Sequence, residues 1–122
     1  MPRKIKKERA IESGPLERLF NGSSAAKIID FLIIFKEWDY SVSDIAKNSG
    51  ASFRTVLREL PKMEERGLVR MTRRVGRAKL YKLNIDSEVG FALEKFALKL
   101  ASIEAEKIAS EEIKKETIEA RV

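Results

Sequence analysis

The strongest pattern in the chain lies between Ser23 and Phe35, where Ala25, Ile28, Ile29, Leu32, Ile33 and Phe35 recur at helical spacing and cover more than one face. A helix apolar on so much of its circumference has little side left for water, so this one is expected to be the most buried element. Ser23 or Ser24 supplies its N-cap. Upstream, Gly14-Pro15 starts a short helix with Leu16, Leu19 and Phe20 on its apolar side, and Asn21-Gly22 stops it. Downstream, Trp38-Asp39-Tyr40 breaks the period, and Ser41 or Ser43 opens a new helix.

Two helices then follow in quick succession. One runs over Ser43 to Gly50 and ends at the glycine, where a tight turn needs a positive φ. The next is capped by Ser52 and reaches about Arg66, with Val56, Leu57, Leu60 and Met63 as its apolar stripe. Phe53, Arg54, Arg58 and Lys62 lie mostly off that stripe. Pro61 falls inside this helix. It removes one backbone donor and crowds the carbonyl four residues back, at about 3 kcal/mol in an ordinary interior, so a kink or break is expected near Leu60.

After Gly67 the period changes to two. Val69 and Met71 share one face and Arg70 takes the other. Beyond Val75-Gly76-Arg77, Lys79, Tyr81 and Leu83 alternate with Leu80 and Lys82, which reads as a β-hairpin. Asp86-Ser87-Glu88 caps a last helix that contains no proline and, at roughly 35 residues, spans on the order of 50 Å. Within it Val89, Leu93, Phe96, Leu100 and Ile103 repeat at coiled-coil spacing, widened by Ala97, Ala101, Ala105 and Ile108. One helix cannot bury so wide a stripe alone. The expectation is pairing with a second subunit, with packing on its own domain as the alternative.

Charge adds a direction to this pattern. The 122 residues carry 25 Lys and Arg against 19 Asp and Glu, but residues 1–85 have a net charge of +9 and residues 86–122 a net charge of −3. A basic body with a mildly acidic tail points to a polyanionic partner for the body. No acidic residue occurs between Glu65 and Asp86, although that stretch holds Arg66, Arg70, Arg73, Arg74, Arg77, Lys79 and Lys82. A hairpin kept charged for solubility alone mixes both signs. With neither Cys nor His, zinc fingers, thiol chemistry and imidazole acid–base catalysis lack their atoms, and no metal or other cofactor is expected. The longest apolar run, Phe31 to Phe35, is far shorter than the ~20 residues of a membrane span. Met1-Pro2-Arg3-Lys4 has no apolar stretch behind it to make a secretory signal, so a cytoplasmic protein is expected.

Two short helices joined at Gly50 and followed by a basic hairpin form a winged helix-turn-helix pattern. The pieces Ser43-Asp44-Ile45-Ala46-Lys47-Asn48-Ser49-Gly50, Ser52-Phe53-Arg54-Thr55-Val56, Gly67-Leu68-Val69 and Lys79-Leu80-Tyr81-Lys82-Leu83 resemble the winged-helix transcription regulators of bacteria and archaea, in the broad group of MarR-like and ArsR-like repressors. The match runs from about Ser23 to Leu83. Ser49 and Ala51, beside the turn glycine, are less apolar than is usual there. The resemblance implies a mostly α fold with a small β-hairpin, a recognition helix at 52–66 and a wing at 68–83. Together with the charge pattern and the seam of the last helix, this divides the chain into a basic N-terminal arm (1–14, with Arg3, Lys4, Lys6, Lys7 and Arg9), a winged-helix domain (15–85) and a C-terminal dimerisation helix (86–122).

The function expected from these readings is sequence-specific binding of double-stranded DNA by a homodimeric regulator, with repression following from promoter occupancy. The candidate DNA-binding residues are Ser52, Phe53, Arg54, Thr55 and Arg58 on the recognition helix and Arg73, Arg74, Arg77 and Lys79 on the wing. Arginine suits the O6 and N7 of guanine, and a threonine methyl suits thymine. Dimerisation falls to Val89, Leu93, Phe96, Leu100 and Ile103. The alternative function is a non-catalytic protein-interaction module of a transcription, replication or partition assembly, and structured RNA is a third possible ligand. An enzyme is not expected, because the carboxylates lie beside lysines on exposed helices and no Gly-rich phosphate loop is present.

Overall fold

The structure is a computed structural model that describes residue 9 and residues 12–120. The basic positions Arg3, Lys4, Lys6 and Lys7 of the predicted arm lie outside the described residues. Pro15 sets the first turn of α1 (Pro15–Leu19), and this helix is held at its start by a residue from the next one. Asp30 is 1% exposed, and its two carboxylate oxygens accept from the backbone amides of Leu16 (3.0 Å) and Glu17 (2.8 Å). Burial pushes the Asp30 carboxyl up, and those two amides partly offset the rise. Gly14 leaves room for this contact, since a Cβ there would overlap the Asp30 carboxyl.

Helix α2 (Ser24–Ile34) is capped by Ser23, whose Oγ accepts from the amide of Ala26. It is buried over Ala26, Ile28, Ile29, Asp30, Phe31, Leu32 and Ile33, as its apolar periodicity predicts. The Phe31 ring meets Phe35 and Tyr40 at centroid distances of 5.3 and 4.8 Å. Strand β1 (Tyr40–Ser41) follows, and the cap of α3 (Val42–Ser49) is Ser41 rather than Ser43. Gly50 takes φ +88° at the turn into α4 (Phe53–Glu65). Ser49 and Ala51, on either side of it, are both buried, and Ser49 Oγ accepts from the Ala51 amide at 3.2 Å.

The expected break at Pro61 does not occur: α4 runs as one helix to Glu65. Pro61 is exposed and shares the outer face of α4 with Phe53, Arg54 and Leu57. The carbonyl that lacks its usual donor is that of exposed Leu57, where water can take the place of the missing N–H. Leu57 also departs from expectation. It is 53% exposed, while Val56, Leu60 and Met63 alone hold α4 to the core.

Strands β2 (Val69–Val75) and β3 (Ala78–Leu83) form the hairpin, and β1 adds to the other edge of β3, giving the order β1-β3-β2 with every pair antiparallel. The strict alternation read from the sequence fails at one place. Met71 faces Tyr81 and Arg73 faces Leu80, which leaves Thr72 as an extra residue in a bulge. Leu80 and Tyr81, adjacent in sequence on β3, are both buried.

Ser87 caps α5 (Glu88–Ala120), its Oγ accepting from the Gly90 amide at 2.9 Å. The helix packs on its own domain through Gly90, Glu94 and Ala97, flanked by Leu93 and Leu100. Glu94 pairs with Lys36 at the end of α2, and Glu104 pairs with Arg18 of α1 at 2.6 Å. From Ala105 to Ala120 every residue is exposed, so about 24 Å of helix extends past these contacts. Among the described residues no helix is long and apolar enough to cross a membrane.

Candidate nucleic-acid interface

Ser52 starts α4 with its Oγ accepting from the Thr55 amide (3.1 Å) and donating to Thr55 Oγ1 (2.9 Å). The pair fixes the first turn and leaves the Thr55 hydroxyl hydrogen available to a ligand. Phe53, Arg54, Leu57, Arg58 and Pro61 lie on the face opposite Val56, Leu60 and Met63, and all five are exposed. The core-facing stripe therefore determines which side chains point outward. Arg58 leans on its neighbour Glu59 (3.3 Å), an exposed contact that leaves most of its charge accessible. Arg54 has no ion-pair partner among the described residues.

The wing carries its cations in an arrangement that the sequence alone does not disclose. The strand register sets Arg70 directly across from Lys82 and Arg74 directly across from Lys79. Like charges directly opposed on neighbouring strands destabilise a hairpin. Arg77 sits in the two-residue loop Gly76-Arg77 at the tip, and Val75 pairs with Ala78 on either side of it. Arg70, Arg74, Arg77, Lys79 and Lys82 have no acidic partner among the described residues.

Arg73 differs from these. Its guanidinium binds Asp39, from the loop after α2, with Nε to Oδ2 at 2.9 Å and Nη2 to Oδ1 at 3.1 Å. The bulged Thr72 donates its hydroxyl to the same carboxylate at 2.5 Å. These two donors hold the Asp39 carboxyl well below the usual carboxylate range. Asp39 is a site residue that sequence reading misses, since nothing in Trp38-Asp39-Tyr40 connects it to a strand some thirty residues later.

A cleft of about 520 Å³ separates the outer face of α4 from the start of β3. Phe53, Leu57 and Tyr81 contribute apolar walls, and Arg77 and Lys79 stand on its wing side. It thus brings together residues of the two groups read from the sequence, Phe53 from the helix and Arg77 and Lys79 from the wing. Phe53 is 51% exposed, neither buried beneath the turn nor fully free.

The predicted dimerisation residues divide between two surroundings. Leu93 and Leu100 are half-buried against the core, whereas Val89, Phe96 and Ile103 remain about half exposed on the adjoining flank of α5. The single chain therefore covers one side of the stripe and leaves the other uncovered.

No family model and no curated protein sequence matches the chain. Solved structures do match. MepR, a transcription regulator of the Staphylococcus aureus multidrug efflux pump MepA, aligns at 18% identity with a TM-score of 0.63, over 88% of this chain and 81% of MepR. A MepR variant bound to an oligodeoxyribonucleotide aligns at 20% identity and a TM-score of 0.61, over 88% of this chain and 78% of that one. The MarR family transcriptional regulator SPO1453 from Silicibacter pomeroyi aligns at 19% identity and a TM-score of 0.54, over 77% and 65%. The homodimeric winged helix-turn-helix DNA-binding domain of Mb0332 from Mycobacterium bovis, a possible ArsR-family transcriptional regulator, aligns at 22% identity and a TM-score of 0.53, over 76% and 81%. Mostly helical, with a three-stranded antiparallel sheet and a long C-terminal helix, the chain has the winged helix-turn-helix fold of these MarR-family and ArsR-family structures.

Proposed function

We propose that the protein is a homodimeric, sequence-specific regulator of transcription that binds double-stranded DNA and represses by occupying a promoter. The observation that carries this reading is the opposition of Arg70 to Lys82 and of Arg74 to Lys79 across the wing. A hairpin that sets cation against cation is suited to a ligand bearing closely spaced negative charge, and the phosphates of duplex DNA supply it. The exposed start of α4, with Arg54 and Thr55, then enters the major groove while the wing grips backbone on the flank. Val89, Phe96 and Ile103 of two subunits pair and set the distance between half-sites. DNA in one MepR complex and the homodimeric state of Mb0332 support this reading by similarity of fold.

The test is selection of bound fragments from random duplex DNA, followed by affinity measurements over a range of salt concentration. A shared sequence among the selected fragments, with affinity falling steeply as salt rises, is the expected result. Exposed Phe53 and Leu57 beside the wing favour one second reading, a protein partner seated on the same face. Absence of duplex binding at low salt would turn the interpretation to that module.

A further inference from the structure

Two ion pairs tie α5 to the rest of the chain from either side of its buried stripe. Glu94, whose side chain is 8% exposed, pairs with Lys36 just after α2. Glu104 accepts two bonds from Arg18 of α1, from Nη2 at 2.6 Å and from Nε at 3.2 Å. Arg18 is itself braced by the carbonyl and hydroxyl oxygens of Ser13. The two glutamates are ten residues apart, which sets them about 80° apart around the helix and about 15 Å apart along it. Buried Gly90 and Ala97 lie between them on that face. The start of α5 is a fixed point: Ser87 Oγ donates to the carbonyl of Gly67, and a Cβ on Gly90 would overlap the carbonyl oxygen of Asn84. Beyond it, glycine and alanine give the contact little relief to resist rolling, with Leu93 and Leu100 half-buried at its flank. The directional contacts are the two carboxylates. Ile103 lies 13 residues past Gly90, so a swing of about 10° about that point carries it about 3.5 Å. One base pair of duplex DNA rises about 3.4 Å.

We propose that the pairs Lys36–Glu94 and Arg18–Glu104 determine which spacing between two half-sites the protein accepts, by fixing the angle of α5 on its own domain. This inference rests on the reading of a dimer that binds DNA. None of the four residues touches the duplex, and all act by position. Two contacts set apart both along and around the helix stop it from swinging and from rolling, so the two reading domains stand at one separation. A buried ion pair is weak evidence for stability, and fixing an arrangement is its better-attested use. Without the pairs each domain keeps its grip on one half-site and loses the fixed distance to the other.

The experiment measures affinity for duplexes that carry a selected half-site once, or twice at a series of spacings. It compares the full chain, Glu94→Gln/Glu104→Gln, and the reversed pair Arg18→Glu/Glu104→Arg. Thermal unfolding and sedimentation establish that each is folded and dimeric, and Lys36→Met/Glu94→Leu replaces Glu94→Gln if that variant unfolds, since it leaves no charge buried alone. The full chain is expected to prefer one spacing at least about tenfold over spacings one base pair longer or shorter. In the double glutamine variant that ratio is expected to fall to about threefold or less, with affinity for a single half-site unchanged. The reversed pair is expected to keep the preference. A second readout needs no DNA. The chain has no cysteine, so spin labels on Lys47→Cys and Ser110→Cys, diluted with unlabelled protein, report the angle of α5 within one subunit. Their distance distribution is expected to be narrow in the full chain and broader in the double glutamine variant. An unchanged spacing ratio, an unchanged distance distribution, or a uniform loss of affinity at every spacing would overturn the inference and leave the DNA-binding reading intact. If the full chain is monomeric or binds no duplex, that reading fails and this inference falls with it.

Discussion

Asp39 and Arg73, 34 residues apart, meet through two hydrogen bonds on the outer edge of the wing, and Thr72 adds a third to the same carboxylate. The contact assigns the hairpin's cations to different tasks. Arg73 secures the wing to the loop after α2, while Arg74, next to it in sequence, faces Lys79 without an acidic partner among the described residues. Arg73 is open to water and Asp39 partly so, and the pair therefore contributes more to direction than to stability.

Replacing Asp39 by Asn removes one negative charge beside the wing and releases Arg73. The expected result is tighter binding to every duplex, with a salt slope steeper by about 0.9 if Arg73 then takes a phosphate. Anisotropy titrations over a salt series check it. The acid form of Asp39 has its own signature. Its folded pKa is depressed, so the contribution of the pair is present above the unfolded value of about 3.9 and is lost as pH falls through the lower folded value. A carboxyl-carbon titration should find Asp39 protonating below the usual carboxylate range.

Arg54→Ala is expected to lose discrimination between a selected site and scrambled DNA. Arg54 lies two residues after the cap on the outward face of α4, and a bidentate contact to guanine is worth about 1–3 kcal/mol. Equal weakening on both DNAs would restrict Arg54 to the backbone.

Arg74→Ala combined with Arg77→Ala is expected to act the other way. It should weaken binding to all duplexes alike and flatten the salt slope by about 1.8, at ~0.9 for each arginine removed from a phosphate. An unchanged slope would remove the hairpin from the interface.

Phe96→Glu separates the two sides of α5. Phe96 is 48% exposed in the single chain, so the variant should unfold at nearly the wild-type monomer's temperature. Its dimer should nevertheless dissociate, since Val89, Phe96 and Ile103 each contribute about 1.5–3 kcal/mol when fully covered. Sedimentation at micromolar concentration reads the outcome, and a dimer that survives would place subunit contact elsewhere.

Asp30→Ala leaves the amides of Leu16 and Glu17 without their acceptors and is expected to cost about 1–3 kcal/mol of stability. Burial raises the folded pKa of Asp30 above the unfolded value. The folded state therefore holds this proton more tightly, and the deficit of the variant should widen as pH falls through the raised pKa towards about 4. Thermal melts of both proteins between about pH 7 and 4 measure it.

What the sequence discloses is set by the range of the interactions involved. Ser23, Ser52 and Ser87 cap helices three residues or fewer from themselves, and Ile28 to Ile33 bury a helix whose period is visible in one window, so these elements are legible. Asp30 and Asp39 act 13 or more residues away, on α1 and on β2, and neither partner leaves a mark near the carboxylate. Leu57 and Pro61 fail for a related reason. Their types say core and breaker, but the tilt of α4 against the core puts both on the wet side. The bulge at Thr72 defeats a period-two reading because one inserted residue changes which side chains share a face.

The cation pairs of the wing carry a consequence for the protein without its ligand. Arg70 against Lys82 and Arg74 against Lys79 repel in the free hairpin, so dissolved ions that screen them relieve the free fold. The same ions compete at phosphate. Rising ionic strength thus moves two properties of one hairpin in opposite directions, making it firmer alone and slacker on a polyanion. The cell's salt content then tunes how much of the hairpin's order comes from the chain and how much is supplied by whatever it holds.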